Sequence, residues 1–306
     1  MNRENPDFGT KLMPFSTTIF RMETYKTACM LPKITALCLL SLPALGQDNF
    51  YGDWESGEVT GSGHRNWKQL QAVAPDRIKV ISEGARQGRK AARFEVRSGD
   101  NPLDFCCQKT ERAEVLGIQD KYDNDVYENV DSGTQRYSFS VKFDESWQTI
   151  VDNGDGAWGI FLQLHGPDGP NATNPALAFS ATDRIRLNMR TGNIPASKIV
   201  EYELTDGSLN KGKWIDFMLI IKFAKDNSGF VNLQRRNEGE NKFIPVLDVE
   251  GIPTLQYDPN VDNGVVGKHY WKHGLYRNHQ KFTSVLYLDG LKRESCKKTD
   301  CSDLDH

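Results

Sequence analysis

Short stretches in which apolar and polar residues alternate recur along most of this chain of 306 residues. The clearest runs from Tyr137 to Phe143, where four aromatic or aliphatic residues alternate with two serines and a lysine. Clusters of Gly, Asn, Asp and Pro separate these stretches, as at residues 152–156 and 166–170. Alternation with a period of two is the pattern of a strand with one buried face. Because no long helical period interrupts it, the pattern predicts an all-β chain folded as one jelly-roll sandwich over residues 47–292.

Nine segments carry enough of this pattern for strands to be predicted individually. The predicted strands are residues 77–82, 91–96, 137–143, 158–165, 176–180, 184–189, 214–223, 229–235 and 284–288. Charged residues make up 26% of the chain and its net charge is −3, with no basic run. The chain as a whole therefore lacks the positive charge that would indicate nucleic acid as a partner.

The N-terminal 46 residues read as a targeting segment rather than as part of the fold. An apolar run from Ile34 to Leu45 follows Lys33 and ends in small residues at Ala44 to Gly46. This composition and length are typical of a secretory signal, and the run is short for a membrane span. Translation either starts at Met30 or the signal is unusually long. We expect a secreted chain with domain 47–292, a C-terminal tail at 293–306, and no membrane partner.

Four of the six cysteines lie beyond this segment, at 106, 107, 296 and 301. An even number of cysteines in a secreted chain favours disulfides, so we expect no free thiol. Adjacent cysteines seldom pair with each other because the geometry is strained. Two arrangements therefore stay open: bridges from the 106/107 pair to the tail, or a local loop between Cys296 and Cys301.

Three short polar stretches lie within segments that read as strands: Glu111 to Glu114, Gln163 to His165, and Tyr270 to Tyr276. Apolar residues such as Trp271 and Leu275 lie between the polar ones, so each strand has one apolar and one polar face. A row of Arg, Gln, His, Lys and Tyr suits a groove that binds an anionic, hydroxyl-rich ligand. The residues that share a face are Arg112 with Glu114, Gln163 with His165, and Tyr270 with Lys272, Gly274 and Tyr276.

Taken together and in this order, the three stretches resemble the jelly-roll polysaccharide lyases. The form Glu-Arg-x-Glu is closer to the glucuronan lyase and heparin lyase I branch than to the alginate lyases. The resemblance implies a concanavalin-like β-jelly-roll sandwich with a concave substrate cleft, and an anionic polysaccharide as partner. It also implies β-elimination on a uronic-acid polymer, with no cofactor required.

Elimination across C4–C5 of a uronate needs carboxylate neutralisation, a base for the C5 proton and an acid for O4. The resemblance implies Gln163 and Arg112 at the carboxylate, and His165 as neutraliser or base. It implies Tyr276 as base, acid or both. Because the phenol has an ordinary pKa near 10, a role as base needs a nearby cation, which we expect Lys272 to supply. Gly274 is expected to leave room for the sugar ring.

The remaining polar residues have weaker assignments. Glu114 is expected to orient Arg112 or a tyrosine, and Tyr270 is expected to contact substrate. Lys109 is either a substrate contact or a solvated charge at the rim. Glu111 or Glu114 could instead be a hydrolase carboxylate, although the acid pattern of jelly-roll hydrolases is absent. His273 falls on the opposite face by alternation and should tolerate Gln if it is partly exposed.

Asp289 closes the last predicted strand and Asp53 lies near the first. Terminal strands of such sandwiches are often neighbours, so these oxygens could hold a structural Ca²⁺, although an ordinary turn aspartate is the alternative. The modest acidic charge argues against heparin as substrate. Glucuronan is therefore the first expected substrate and alginate the second. The rival functions are a glycoside hydrolase on the same fold and a carbohydrate-binding sandwich without activity.

Overall fold

Two antiparallel β-sheets packed face to face make up the body of the protein. The computed structural model describes residues 49–304 except 105, 106, 108, 155, 168–174 and 261–266. The predicted signal segment, residues 1–46, lies outside the described residues. The strands are β1 (Phe50–Gly52), β2 (Gln69–Gln71), β3 (Ile78–Ile81), β4 (Ala91–Val96), β5 (Thr110–Leu116), β6 (Ile118–Gln119), β7 (Asp125–Val126), β8 (Thr134–Phe143), β9 (Gly159–His165), β10 (Leu177–Ala181), β11 (Ile185–Met189), β12 (Gly192–Asn193), β13 (Val200–Glu203), β14 (Trp214–Lys222), β15 (Gly229–Asn237), β16 (Ile244–Ile252), β17 (Gln256–Tyr257), β18 (Tyr270–Asn278) and β19 (Ser284–Ser295).

The larger sheet has the strand order β16-β15-β14-β8-β19-β4-β3, with β1 pairing to β19. The smaller sheet has seven strands in the order β13-β11-β10-β9-β18-β5-β2. Short 3-10 helices lie at Pro75–Arg77, Val130–Ser132 and Ser302–Leu304. In the part of the chain described, no helix has the length and apolar character to cross a bilayer. The predicted all-β sandwich of jelly-roll type is confirmed.

The core lies between the two sheets and is rich in aromatic rings. Phe139 of β8 packs on Phe179 of β10 across the sandwich, with ring centroids 4.9 Å apart. Tyr137 of β8 and Trp271 of β18 meet in the same way at 4.6 Å. Each fully buried aromatic side chain stabilises the fold by roughly 1.5–3 kcal/mol. The apolar faces of the predicted strands thus hold the smaller sheet against the larger one.

Two buried ion pairs fix strands on either side of the core. Arg277 of β18 lies 2.8 Å from the Glu111 carboxylate of β5, and both are almost completely buried. Arg293 of β19 donates from Nε to Glu128 Oε1 at 2.7 Å, and the Tyr137 hydroxyl donates to the same oxygen at 2.5 Å. Removing one partner of such a pair would leave an uncompensated buried charge. Glu111 is therefore occupied inside the sandwich, away from the polar face of β5.

Several strands were not predicted, and each has a local reason. β16 contains Pro245 and Gly251, and most of its residues are exposed or half-exposed because it is an edge strand. β2 has only three residues and no alternation to reveal it. At the C-terminus, β19 runs on to Ser295, three residues beyond the boundary at 292 that the sequence suggested.

The cysteines distinguish the two open arrangements. Cys296 and Cys301 form a disulfide across five residues, so the local loop is confirmed. Bridges from the 106/107 pair to the tail are therefore excluded, because the tail cysteines pair with each other. Cys107 has a free thiol, so the expectation of no free thiol is wrong. Cys106 lies outside the described residues.

Candidate active site

A cavity of about 520 Å³ lies on the face of the smaller sheet that points away from the core. Residues from six neighbouring strands line it, so its long axis crosses the strands. They are Gln71 of β2, Arg112 of β5, Tyr270, Lys272 and Tyr276 of β18, Ile160, Gln163 and His165 of β9, Ala178 of β10, and Asn188 and Met189 of β11. Five strand spacings correspond to about 24 Å, which is long enough for several sugar units.

Strand register brings the three polar stretches together on this face. β18 lies between β9 and β5, with Tyr270 opposite His165 and Lys272 opposite Gln163. On its other side, Tyr276 lies opposite Arg112. The predicted sharing of faces is therefore what the sheet shows, although the stretches are far apart in sequence. Along the strand direction, Gln163 lies between His165 at one end of the row and Tyr276 at the other.

Arg112, Glu114 and Gln163 form one buried network. The Gln163 amide nitrogen donates to Glu114 Oε1 at 2.5 Å. Arg112 Nη1 lies 3.4 Å from Glu114 Oε2, and Arg112 Nε is buried with no hydrogen-bond partner among the described residues. Glu114 is 1% exposed. It therefore contacts both of the groups expected at a substrate carboxylate, and is itself shielded from a ligand.

Tyr276 lies between a cation and an indole. The Arg112 guanidinium carbon lies 3.8 Å from the centre of its ring, and the Trp158 ring meets it edge-on at 4.7 Å. Burial raises the pKa of Tyr276 above its ordinary value, and Arg112 opposes part of that rise. The resting side chain is therefore a neutral phenol at neutral pH. The cation against this ring is Arg112, whereas the sequence predicted Lys272.

Lys272 contacts other groups in the cavity. Its ammonium donates to Gln71 Oε1 at 3.3 Å and lies 5.7 Å from the Tyr270 ring centre. Arg112 Nη1 reaches the same Gln71 oxygen at 3.4 Å. Gln71 thus joins the two cations of the cavity floor. Sequence reasoning missed it because β2 is too short to show a pattern, and its place is defined only by pairing with β5.

His165 is held at one end of the row. Its Nδ1 lies 2.8 Å from the Gly166 carbonyl oxygen, and its ring stacks on Tyr270 at 4.8 Å. Because a carbonyl only accepts, Nδ1 carries a hydrogen in this contact. Tyr270 therefore positions His165, in addition to lining the cavity.

One expectation about β18 is wrong, and the condition attached to another is not met. Gly274 does not make room for a sugar: a Cβ there would lie 2.3 Å from the Ala113 carbonyl oxygen of β5. Its φ of +149° accompanies a bulge, where the register with β9 shifts between His273 and Tyr276. His273 is completely buried in the core beside Trp67. Burial lowers its pKa to about 3, so it stays neutral.

Lys109 precedes β5 with a φ of +67° and is exposed. It is not among the described residues that line the cavity. Its assignment as substrate contact or rim charge stays a prediction.

Asp289 and Asp53 were predicted as weak calcium ligands. Asp289 is buried, and its Oδ2 accepts from the main-chain nitrogens of Arg86 and Gln87 at 2.6 and 2.8 Å. Its Oδ1 is buried with no hydrogen-bond partner in the described part of the chain, and burial raises its pKa to about 6. Asp53 contacts Arg65 at 3.5 Å. Among the described residues, no three His, Cys, Asp or Glu side chains form a metal-type group. The calcium site stays a prediction.

The charge of the cavity differs from that of the whole chain. Its described lining contains Arg112, Arg190 and Lys272 but no Asp or Glu. Cys107 also lines it with its free thiol. The cations of the groove are thus a local feature of a chain whose net charge is −3.

Jelly-roll sandwiches occur in lectin domains and in unrelated proteins, so the fold alone does not define the function. The model of the polysaccharide lyase family matches residues 57–292. This chain therefore belongs to the polysaccharide lyase family, and the resemblance to the polysaccharide lyases is confirmed. No curated protein matches the chain by sequence.

Solved structures are similar in fold. The endo-β-1,4-glucuronan lyase from the fungus Trichoderma reesei has a TM-score of 0.56 and 17% identity, covering 76% of this chain and 93% of that chain. The alginate lyase from Zobellia galactanivorans has a TM-score of 0.42 and 15% identity, covering 68% and 78%. The alginate lyase from Aplysia kurodai has a TM-score of 0.44 and 10% identity, covering 75% and 92%. At 17% identity the likeness to the glucuronan lyase is one of fold alone.

Proposed function

We propose that this protein is a secreted lyase that cleaves a uronic-acid polymer by β-elimination, with glucuronan as first substrate and alginate as second. The observation that carries the proposal is the charge of the cleft. Two arginines and a lysine line it, whereas its described lining has no carboxylate. A cleft of this kind attracts a polyanion, and its described residues offer a hydrolase neither of the two carboxyl groups it needs.

The buried network supports neutralisation of the substrate carboxylate. Gln163 uses one amide hydrogen on Glu114 and has a second for the substrate, since an amide nitrogen carries two. Arg112 adds positive charge beside it. As the C5 proton leaves, charge builds on the carboxylate, and donors already in place stabilise it without reorganisation. In this proposal Gln163 and Arg112 hold the uronate whose C5 proton is lost.

The two ends of the row supply the proton transfers. His165 Nε2 takes the C5 proton, the electron pair of that bond forms the C4–C5 double bond, and the C4–O4 bond breaks. Tyr276 donates its phenolic proton to O4. Arg112, against the Tyr276 ring, stabilises the phenolate that forms. Proton return from the imidazolium to the phenolate through solvent restores both groups.

The stereochemistry at C4 and C5 distinguishes the candidate substrates. In glucuronate, as in mannuronate, the C5 proton and O4 lie on the same side of the C4–C5 bond, whereas guluronate has them on opposite sides. The fold likeness to a fungal glucuronan lyase agrees with this order of substrates.

A substrate screen tests the proposal. Purified protein is incubated with glucuronan, alginate, heparin and hyaluronan, and the unsaturated product is followed by its ultraviolet absorbance. We expect the fastest rise with glucuronan and a slower one with mannuronate-rich alginate. New reducing ends without new absorbance would instead identify a hydrolase. Binding without cleavage of any polyuronate would identify a carbohydrate-binding sandwich.

Secretion has its own test. The apolar run from Ile34 to Leu45 and the small residues after it motivate it. N-terminal sequencing of protein recovered from culture medium should begin near Gln47. A mature chain that retains residues 1–46 would contradict secretion by this route.

A further inference from the structure

A polar residue two strands away from Gln163 has no place in the chemistry above. Asn188 of β11 lies opposite Ala178 of β10, which in turn lies opposite Gln163 of β9. The three residues form one straight row across the cavity, continued by Lys272 of β18. Ala178 has only a methyl group, so the floor between Gln163 and Asn188 is low.

The side-chain amide oxygen of Asn188 lacks a hydrogen-bond partner among the described residues. Its Oδ1 is buried and makes no hydrogen bond with any described residue. A buried amide oxygen left without a donor costs stability, so such groups usually have a partner. The residue lines the cavity, and a turn of its amide about χ2 would present this oxygen to a hydroxyl of a bound ligand.

Arg190 lies two residues farther on and adds a cation to the same end of the cavity. Its main chain is anchored on both sides: the nitrogen donates to Ala176 at 2.9 Å, and the oxygen accepts from the Gln256 amide at 2.7 Å. Its Nε lies 3.4 Å from the Ser197 hydroxyl. Ile199, which is 56% exposed, adds an apolar rim to this end. Charge, amide and apolar rim together match an acidic sugar.

The spacing of the row matches the repeat of a β-1,4-linked chain. Two strand spacings, about 10 Å, separate Gln163 from Asn188. In such a chain each sugar is turned over relative to the one before it, so every second carboxylate faces the same way. Two pyranose units have the length of these two strand spacings. A uronate held at Gln163 thus places the second sugar along at Asn188 and Arg190.

We infer that Asn188 and Arg190 form a distal uronate subsite, two sugars from the one that loses its C5 proton. Arg190 neutralises the carboxylate of that sugar and Asn188 accepts a hydrogen bond from one of its hydroxyl groups. This inference rests on the proposed function and names the residues that select for chain length. The subsite makes catalytic efficiency rise when an oligomer becomes long enough to reach β11.

Oligoglucuronates of defined length test the subsite. For the parent protein, kcat/KM should rise about tenfold at the length that first reaches Arg190, the scale of one charge-assisted contact. Arg190→Gln and Asn188→Ala should flatten this rise, with losses that grow with chain length and lie mainly in KM. Arg190→Lys retains the charge and should keep most of the rise.

Arg186→Gln is a matched control, and it should leave the dependence on oligomer length unchanged. Arg186 lies on β11, but it pairs with Glu201 and is outside the described cavity lining.

The outcomes separate this inference from the proposed function. A parent that cleaves oligoglucuronates with a length profile unchanged in Arg190→Gln would overturn the subsite alone. A parent that cleaves no polyuronate would overturn both. Equal losses on all lengths would overturn the subsite and assign Arg190 to stability, which a thermal melt of the variant would show directly.

Discussion

Two opposing effects act on Tyr276 and match the proton-donor role proposed for it. Burial raises its pKa, so the resting side chain keeps its hydrogen at neutral pH. The Arg112 guanidinium against its ring favours the phenolate once the proton has left. A general acid needs both properties, because it must be protonated at the start and must release the proton in the transition state.

Tyr276→Phe removes the phenolic oxygen and keeps the ring that packs on Arg112 and Trp158. We expect turnover on glucuronan to fall by at least ~10²-fold, the usual scale for losing a general acid or base. The melting temperature should change little. Tyr287→Phe is the matched control, because that hydroxyl bonds Asp144 beside the larger sheet. A Tyr276→Phe protein near the parent rate would refute the acid role.

His165→Asn separates the two proton transfers. If His165 is the base, this variant loses turnover on the same ~10² scale, measured by the absorbance of the unsaturated product. Full turnover in His165→Asn together with loss in Tyr276→Phe would assign both transfers to Tyr276.

Asp289 makes the stability of the fold depend on pH. Its pKa is raised to about 6 in the folded protein against an ordinary value of 3.8. The fold therefore favours the protonated form, and this contribution is complete below about pH 4 and lost as pH rises through 6. At pH 7 the buried carboxylate costs about 3 kcal/mol.

Asp289→Asn should remove this part of the pH dependence. Between pH 4 and 7 the denaturant midpoint of the parent should fall relative to that of the variant, measured by urea unfolding at each pH. Calcium tests the predicted metal site in the same experiment. If Ca²⁺ binds the Asp289 carboxylate, millimolar calcium raises the parent midpoint at pH 7 and leaves the variant unchanged.

At the scale of elements, β18 is the strand that joins the core to the site. Trp271 and Leu275 pack in the core, while Lys272 and Tyr276 line the cavity. The bulge at Gly274 lets β18 keep its register with β5 while it shifts against β9. Both neighbouring strands can then present their polar residues to one cavity.

Gly274→Ala should damage both stability and activity. A Cβ there would overlap the main chain of β5, and a main chain in a sheet cannot move aside as a side chain can. We expect a loss of roughly 1–3 kcal/mol in the free energy of unfolding, measured by urea denaturation. Gly239→Ala is the control, since Gly239 also has positive φ but no atom within 4 Å of the added Cβ. Equal effects of the two changes would mean that backbone strain alone matters.

The sequence predicted the faces of the strands better than their neighbours. Alternation assigned Arg112, Gln163 and Tyr276 to polar faces, because a period of two depends only on local geometry. Gln71 and Asn188 could not be found in this way, since their places depend on pairing between segments distant in sequence. Alternation also placed His273 on the face opposite the polar one. Only the packing of the larger sheet against that face shows that His273 is completely buried.

At the scale of the whole molecule, the two sheets differ in what they contribute to stability and to the cavity. The larger sheet and the core carry the buried aromatic rings and the Arg293–Glu128 pair, which resist unfolding together. The smaller sheet displays cations on its outer face although the chain as a whole is acidic. A local positive field in an acidic protein draws a polyanion to the cleft rather than to the surface in general.

The position of β2 at the edge of its sheet affects the temperature at which the protein loses activity. This strand of three residues lies at the edge of its sheet, pairs with β5, and carries Gln71, which joins the two cations of the cavity floor. Edge segments with few buried contacts open at a lower free energy than the core. We expect activity to decline on warming before the far-ultraviolet circular dichroism signal does. Loss of activity and of the circular dichroism signal at the same temperature would mean that the site is as stable to heat as the sandwich beneath it.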